Sequence, residues 1–268
     1  MKFKVNLCNI NHLTSYIFNQ NNKMCTLSFF PKSDNSGFIL TFNRDEMAAR
    51  STVEVVHDEQ RDLVYPKDAL HGGTWLAMSK RNGRLTCLLN GAFERHERIL
   101  PYRKSRGLVL LESFDYVSML DFFEFYDFEN IEPFTLLTFQ DSEIFEFRWD
   151  NKQKHIKKLD AQSPQTRSSC TLYNEAVRYE REAWFSDFLK QKNDKIEASD
   201  LWQFHKTENK NAPEKGILMH RPLGPSTVSI TQLNYSFSSQ LIDFQYYELG
   251  KHDISHLQFA YGTNVLLD

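Results

Sequence analysis

Met24-Cys25-Thr26-Leu27-Ser28-Phe29-Phe30 and Phe38-Ile39-Leu40-Thr41-Phe42-Asn43-Arg44-Asp45-Glu46 are the two segments that decide the fold. Both are rich in β-branched and aromatic residues, and a short polar link from Pro31 to Gly37 separates them, which predicts two adjacent antiparallel strands. Neighbouring strands lie about 5 Å apart, so this pairing would bring the polar end of the second strand close to the beginning of the first. The two segments therefore predict a site around Cys25.

Cys25 is the candidate nucleophile of this site. If synthesis starts at Met24, removal of that methionine leaves Cys25 with a free α-amine, whose reference pKa is about 7.7–8.0. Such an amine can take the proton of the thiol, directly or through a water, and the resulting thiolate is strongly nucleophilic. The alternative is structural, because a single cysteine at the start of a strand is usually a small buried apolar residue.

Residues 1–23 are expected to be an extension in front of a single domain that spans residues 24–268. The extension lacks the continuous apolar stretch and the small-residue cleavage site of a signal peptide. Two explanations stay open: Met24 is the true start and the upstream codons are misannotated, or the extension is a propeptide that is cleaved before Cys25. An extension that stays attached would exclude the α-amine mechanism.

Composition limits the classes of function. The formal net charge is −3, and the sequence has four widely spaced cysteines and nine scattered histidines. This charge gives no footprint for nucleic acid, and no apolar run approaches the ~20 residues that span a bilayer. We expect a soluble cytoplasmic protein without stable membrane insertion, without a metal and without a cofactor. The oligomeric state stays open.

The order of predicted elements indicates the fold class. Strand patterns occupy residues 24–90 and return at 134–159 and 227–247, whereas helical spacing is found at 104–125 and 173–204. Pro66 is expected to end the strand that begins at Leu63. Strands followed by helices and then by strands again argue against a parallel βαβ sheet and predict an α+β protein.

Several short motifs resemble those of a known family. They are Met24-Cys25-Thr26, Asn43-Arg44-Asp45-Glu46, Pro66-Lys67-Asp68, Gly72-Gly73-Thr74-Trp75-Leu76-Ala77 and Leu88-Leu89-Asn90-Gly91. Together they resemble the NRDE family, whose eukaryotic branch is named for transport and Golgi organisation. The resemblance runs from Met24 nearly to the C-terminus, and two later segments, Ser168-Ser169-Cys170-Thr171-Leu172-Tyr173 and Thr227-Val228-Ser229-Ile230-Thr231, match a bacterial-type pattern.

The resemblance implies a fold and a set of site residues. The family is similar to N-terminal nucleophile hydrolases, which form a four-layer αββα sandwich of two antiparallel sheets. By analogy with choloylglycine hydrolases and penicillin V acylases, Cys25 would attack a carbonyl, Arg44 and Asp45 would hold its amine and thiol, and Asn90 would donate to the oxyanion. Further candidates for substrate binding are Asn43, Glu46, Asn174 and Arg221.

The adjacency of Arg44 and Asp45 departs from the bile-salt enzymes, in which the two residues are spaced. Neighbours on a strand face opposite ways, so we expect one of them to reach Cys25 and the other to anchor the strand. For Asp45 and Glu46, a salt-bridged turn is the alternative. Asn174 and Arg221 have the alternative roles of a helix-start and a loop residue.

Two functions are compatible with the resemblance. The first is a cysteine amidase or acyltransferase that acts on a small amide or thioester through an acyl-enzyme at Cys25. The second is a non-enzymatic binding or transfer protein for a hydrophobic ligand such as haem, lipid or acyl-CoA, which are ligands associated with the eukaryotic branch. In that protein the same pocket would hold the ligand, and Cys25 would line it or ligate the haem.

Overall fold

The computed structural model describes residues 24–48, 50, 52–140, 142–171, 175–193, 195–222 and 224–262. Residues 1–23, Asn174 and 263–268 lie outside this part of the chain. The strands are β1 Met24–Pro31, β2 Gly37–Glu46, β3 Thr52–Asp58, β4 Leu63–Asp68, β5 Leu76–Ser79, β6 Leu85–Asn90, β7 Phe134–Gln140, β8 Glu143–Trp149, β9 Lys154–Leu159, β10 Gln165–Ser168, β11 Ser226–Ser236, β12 Leu241–Glu248 and β13 Asp253–Ala260. The helices are α1 Arg106–Glu112, α2 Met119–Phe125, α3 Glu175–Gln191 and α4 Ala198–His205.

The described strands form two antiparallel sheets. Sheet 1 has the order β10-β1-β2-β11-β12-β13, so that strands from the two ends of the chain are neighbours. Sheet 2 has the order β3-β4-β5-β6-β7-β8-β9, which is a meander in chain order. All pairings within both sheets are antiparallel, which confirms the predicted α+β class.

The two sheets lie between two layers of helix. Alternate residues of β1 and β2, among them Leu27 and Leu40, pack against sheet 2 in the inter-sheet core. Phe30 and Ile39 point to the other face of sheet 1 and pack against α3 and α4. Helices α1 and α2 cover the outer face of sheet 2. This is the αββα order of layers that the resemblance implied.

The β1–β2 pairing agrees with the prediction from the opening segments. Cys25 is opposite Arg44, and Thr26 is opposite Asn43. Because opposite residues share a face, Cys25 and Arg44 lie on the same side of sheet 1.

Three details differ from the sequence predictions. Strand β4 continues through Pro66 to Asp68. Beyond Val64 this strand pairs with β3 but no longer with β5, so the missing N–H of proline disrupts no pairing on that side. The sequence pattern also missed β10 and β13, which are the two edge strands of sheet 1. An edge strand need not be apolar on either face, so its pattern is weak.

Candidate functional site

The site lies where β1 begins and β2 ends. A cavity of about 380 Å³ opens there, and five of the residues predicted from sequence line it. They are Cys25, Arg44, Asp45, Glu46 and Asn90. The cavity wall is completed by residues of β4, of the Gly73–Trp75 turn, of the 98–107 segment and by Glu132.

A close backbone contact brings α1 to this cavity. The backbones of Gly73 and Gly107 touch, since a Cβ on Gly73 would lie only 2.6 Å from the carbonyl carbon of Gly107. Gly72 next to it has a φ of +68°, a conformation that glycine adopts without strain. The absence of side chains at Gly73 and Gly107 therefore allows the first turn of α1 to reach the site. This places the buried Arg106 side chain at the cavity.

Ser169 connects the two sheets at the edge of the cavity. The backbone N–H of Cys25 in sheet 1 donates to Ser169 Oγ at 3.2 Å, and the backbone N–H of Asn90 in sheet 2 donates to the same oxygen at 3.1 Å. The backbone N–H of Ser169 in turn donates to the carbonyl of Cys25 at 2.9 Å. The hydroxyl of Ser169 thus holds the backbone nitrogens of Cys25 and Asn90 within ~6 Å of each other.

The side-chain amide of Asn90 is available for a ligand. Asn90 is buried at the end of β6 and lines the cavity. Among the described residues, the hydrogen bond that holds Asn90 to Ser169 is made by its backbone N–H and not by its side chain. An amide N–H of this kind can donate to an oxygen in the cavity.

The thiol of Cys25 is 4 % exposed and is protonated near neutrality. Burial raises the pKa of the thiol well above its usual value, and the charge of Asp45 raises it further. The backbone N–H of Asp45 and the guanidinium of Arg44 act in the opposite direction but are weaker. The sulfur therefore needs a base before it can act as a nucleophile.

Asp45 is a buried carboxyl on the strand next to Cys25. Its Oδ1 accepts from Thr227 Oγ1 at 2.6 Å, while Oδ2 has no hydrogen-bond partner among the described residues. Burial raises the pKa of Asp45 to about 7, although Arg181, Thr227 and Arg221 lower it. Asp45 therefore keeps its proton to a higher pH than an exposed carboxyl does.

Arg44 is fixed by a charged cluster on the cavity wall. Its guanidinium lies 4.1 Å from the centre of the Trp75 ring and forms an ion pair with Asp68. Arg50 bridges Asp68 and Glu46, each at 2.7 Å. Burial alone would raise the pKa of Asp68, but the hydrogen bonds from Arg50 and His71 and the two guanidinium charges hold it below its usual value. Glu46 is thus ion-paired with Arg50 at the end of β2. This is the salt-bridged turn that was given above as the alternative to a binding role for Glu46.

A second charged cluster closes the other side of the cavity. Glu132 contacts His96 and Arg98 at 3.3 and 3.1 Å, and the buried guanidinium of Arg106 at 3.2 Å. Burial would raise the pKa of Glu132, but the His96 hydrogen bond and the arginine charges lower it to about 2. Glu132 therefore stays ionised and orients the guanidinium groups of Arg98 and Arg106.

Two of the predicted binding residues, Asn43 and Arg221, are not at this cavity wall. Asn43 faces the helices, where its amide donates to the carbonyls of His205 and Ile217, both at 2.9 Å. Arg221 lines a separate recess of α3, and its backbone N–H donates to Ser226 Oγ. The prediction for Asn174 lies outside the described residues.

Several site residues were not singled out from the sequence. Ser169, Asp68 and Trp75 lay within the quoted motifs without an assigned role, and Arg106 and Glu132 lay in none. The motifs themselves were the available signal for the first three. The position of Arg106 follows from the packing of α1 against Gly73, and that of Glu132 from its ion pair with Arg106.

The described ranges show neither a metal site nor a membrane-spanning helix. No group of three or more metal-ligating side chains occurs there. None of the helices in that part of the chain combines the length and the apolar character needed to cross a bilayer.

Residues 24–265 match the model of a family described as Transport and Golgi organisation 2. No curated protein matches the chain.

Proposed function

We propose, starting from the fact that this chain belongs to the Transport and Golgi organisation 2 family, that it performs cysteine-dependent acyl transfer at Cys25 on a small amide or thioester. The observation that carries the proposal is the convergence of Cys25 and the side-chain amide of Asn90 on one cavity, with Ser169 holding both backbones. A nucleophile beside an oxyanion donor is the minimal arrangement for acyl transfer.

The proposed reaction begins with loss of the residues before Cys25. The new α-amine would stand where the backbone N–H now donates to Ser169 Oγ, and would take the proton of the thiol directly or through a water. The thiolate then attacks the carbonyl carbon, and the Asn90 amide donates to the developing oxyanion. As the amide or thioester bond breaks, the ammonium returns a proton to the leaving group. Water or another acceptor finally releases the acyl group from the sulfur.

The electrostatics of the site support a base that belongs to Cys25 itself. Burial and the Asp45 charge keep the thiol protonated, so an activating group must lie very close to the sulfur. An α-amine of the same residue meets this need, and it titrates close to neutral pH. Arg44, held on the same face by Asp68 and Trp75, would favour the thiolate once it forms.

The experiment compares two chains that differ only in their N-terminus. One is expressed from Met24 so that methionine removal leaves Cys25 first, and the other carries residues 1–24 with a Met24→Pro change that resists processing. Both are treated with a β-lactone acylating probe, and intact mass and peptide mapping locate the adduct. We expect acylation of Cys25 in the first chain and at least a tenfold slower reaction in the second, since general-base catalysis contributes about 10²–10⁴-fold.

Controls are built into the same chain. Cys87 and Cys170 are buried cysteines, and neither should be labelled in the native protein. Cys25→Ala should abolish the adduct. If the chain with a verified N-terminal cysteine gives no adduct, or if both chains react equally, the proposed mechanism is wrong.

A second candidate function is binding of a hydrophobic ligand without chemistry. The observation that favours it is the buried, protonated thiol of Cys25. As long as the preceding residues stay attached, this thiol is an apolar part of the cavity wall. One exposed apolar side chain, Leu100, also lines this cavity. Haem, lipid or acyl-CoA would then occupy the cavity.

Titration separates the two functions. Haemin and a long-chain acyl-CoA are added to the chain that retains residues 1–24, and the Soret band and calorimetric heats are followed. Saturable binding that is lost in Leu88→Trp, which fills the cavity, supports the carrier. Absence of binding together with acylation of the processed chain supports the enzyme.

A further inference from the structure

A second cavity lies at the other end of the sandwich. Its volume is about 250 Å³, and none of its lining residues belongs to the cavity at Cys25. Strand β1 runs from one cavity to the other, with Cys25 near its start and Pro31 at its end. At about 3.3 Å per residue, Pro31 is about 20 Å from Cys25. We call this space the distal cavity.

Aromatic rings dominate the wall of the distal cavity. They are Phe29, Phe38, Phe139, Tyr235, Phe237 and Tyr261. Phe38 and Tyr235 are stacked with centroids 4.3 Å apart and an angle of 15° between the rings, and Phe29 stacks on Phe139 at 5.2 Å and 28°. These nearly parallel rings form flat surfaces, on which a planar ring packs well.

The rim of the distal cavity is polar but carries little charge. Asn35, Asn82 and Gln162 are among its uncharged residues. Among the described residues of this wall, the one charged side chain is Glu143, which forms an ion pair with Lys158. The Cys25 cavity, by contrast, is lined by several arginines. A charged ligand would lose its hydration in the distal cavity without gaining a partner.

Tyr235 provides an unused hydrogen-bond donor. The residue is 1 % exposed, and its hydroxyl has no hydrogen-bond partner among the described residues. Burial, and to a smaller extent Cys87 and Tyr261, raise the pKa of this phenol, so it keeps its proton. Buried hydroxyls are nearly always paired, so an unpaired one beside a cavity points to an acceptor that arrives with a ligand.

We propose that the distal cavity binds a flat, uncharged aromatic molecule of about two fused rings that carries an acceptor for the Tyr235 hydroxyl. The size follows from comparison: an apolar cavity of about 150 Å³ holds benzene, and the distal cavity is larger by about the volume that a second fused ring needs. This site is independent of the chemistry proposed at Cys25.

The test uses two probes of nearly identical shape. Quinoline carries a ring nitrogen that accepts a hydrogen bond, and naphthalene does not. Binding of each to the full chain is measured by NMR titration, with wild type, Tyr235→Phe, Ala161→Phe and Leu100→Ala. Ala161 is a half-buried residue of the distal wall, whereas Leu100 lines the Cys25 cavity.

We expect each probe to bind Leu100→Ala as tightly as it binds wild type. Ala161→Phe should lower the affinity for both probes at least tenfold. Tyr235→Phe should weaken quinoline about two- to tenfold, which is the range for one hydrogen bond, and leave naphthalene within about twofold. Urea midpoints check that each variant is folded.

Three results would overturn the proposal. The first is that neither probe binds to wild type. The second is that Ala161→Phe binds like wild type or that Leu100→Ala loses binding, since either places the probes elsewhere. The third is that Tyr235→Phe changes the affinities for quinoline and naphthalene equally, since the Tyr235 hydroxyl would then donate no hydrogen bond to quinoline.

Discussion

Cys25 and Asn90 share one hydrogen-bond acceptor, because their backbone N–H groups both donate to Ser169 Oγ, at 3.2 and 3.1 Å. The two residues belong to different sheets, and Ser169 follows the short edge strand β10. The geometry of the candidate site therefore depends on a residue that has neither nucleophilic nor oxyanion function of its own.

Replacing Ser169 should destabilise the protein and loosen the site. Ser169→Ala leaves two buried N–H donors without their acceptor, for which we expect a loss of about 2–3 kcal/mol in the free energy of unfolding. The matched control is Ser168→Ala, whose partly buried hydroxyl contacts Thr26 Oγ1 and should cost less than about 1 kcal/mol. Urea denaturation measures both losses. Equal losses would show that the two hydrogen bonds to Ser169 Oγ contribute no more stability than the Ser168 hydroxyl does.

Asn90 and Asn43 should respond in opposite ways to alanine substitution. Asn90→Ala removes the proposed oxyanion donor, so acylation of Cys25 should slow by about 10²–10³-fold while stability changes by less than about 1 kcal/mol. Asn43→Ala removes the donor to two buried carbonyls and the acceptor beside His205, and should cost about 2–4 kcal/mol of stability. Acylation rates and urea midpoints distinguish the two. Unchanged acylation in Asn90→Ala would remove Asn90 from the mechanism.

Asp45 should make stability depend on pH. Its folded-state pKa is raised from 3.8 to about 7, so between these values the folded state holds a proton that the unfolded state has released. The stability contributed by this carboxyl is full below about pH 4 and is lost as the pH rises through about 7, a change on the order of 4 kcal/mol.

The measurement is the free energy of unfolding at about pH 5 and about pH 8. Asp45→Asn should show a smaller decrease over this interval than wild type, because its amide does not titrate. Asp187→Asn, on an exposed position of α3, serves as the control and should keep the wild-type slope. Identical slopes in wild type and Asp45→Asn would contradict a raised pKa for Asp45.

Asp68 should be essential for the placement of Arg44. Asp68→Asn removes the carboxylate shared by two guanidinium groups in a buried cluster, for which we expect a loss of about 3–5 kcal/mol. Asp62→Asn, which removes an exposed partner of Arg81 at 3.7 Å, should cost less than about 1 kcal/mol. Trp75 fluorescence reports the local change, since the Arg44 guanidinium lies over its ring. A Trp75 spectrum that is unchanged in Asp68→Asn would show that other contacts hold Arg44.

Much of sheet 1 could be predicted because its central strands carry their own pattern. In β1 and β2 apolar residues alternate between two buried faces, and this alternation fixes which side chains face each other once the strands pair. The pairing of Cys25 with Arg44 follows from it, as does the opposite orientation of Asn43. Strand β6, ending in Leu88-Leu89-Asn90, likewise lies within residues 24–90, where strand patterns were predicted.

Other features depend on residues far apart in the chain. Ser169 is 144 residues from Cys25 and 79 from Asn90, and β10 before it has only four residues. The environment of Asp45 comes from Thr227 of β11 and Arg181 of α3. No local pattern encodes these contacts, because each arises only after the sheets and helices have packed.

The sequence by itself determined most of the strands, the faces of their side chains and the family, since periodicity and short motifs are local properties of the chain. The tertiary structure alone decided which charges are neutralised and where cavities remain. Burial and the distance between non-local groups set the protonation of Cys25 and Asp45, and the packing of the two sheets leaves a separate space at each end.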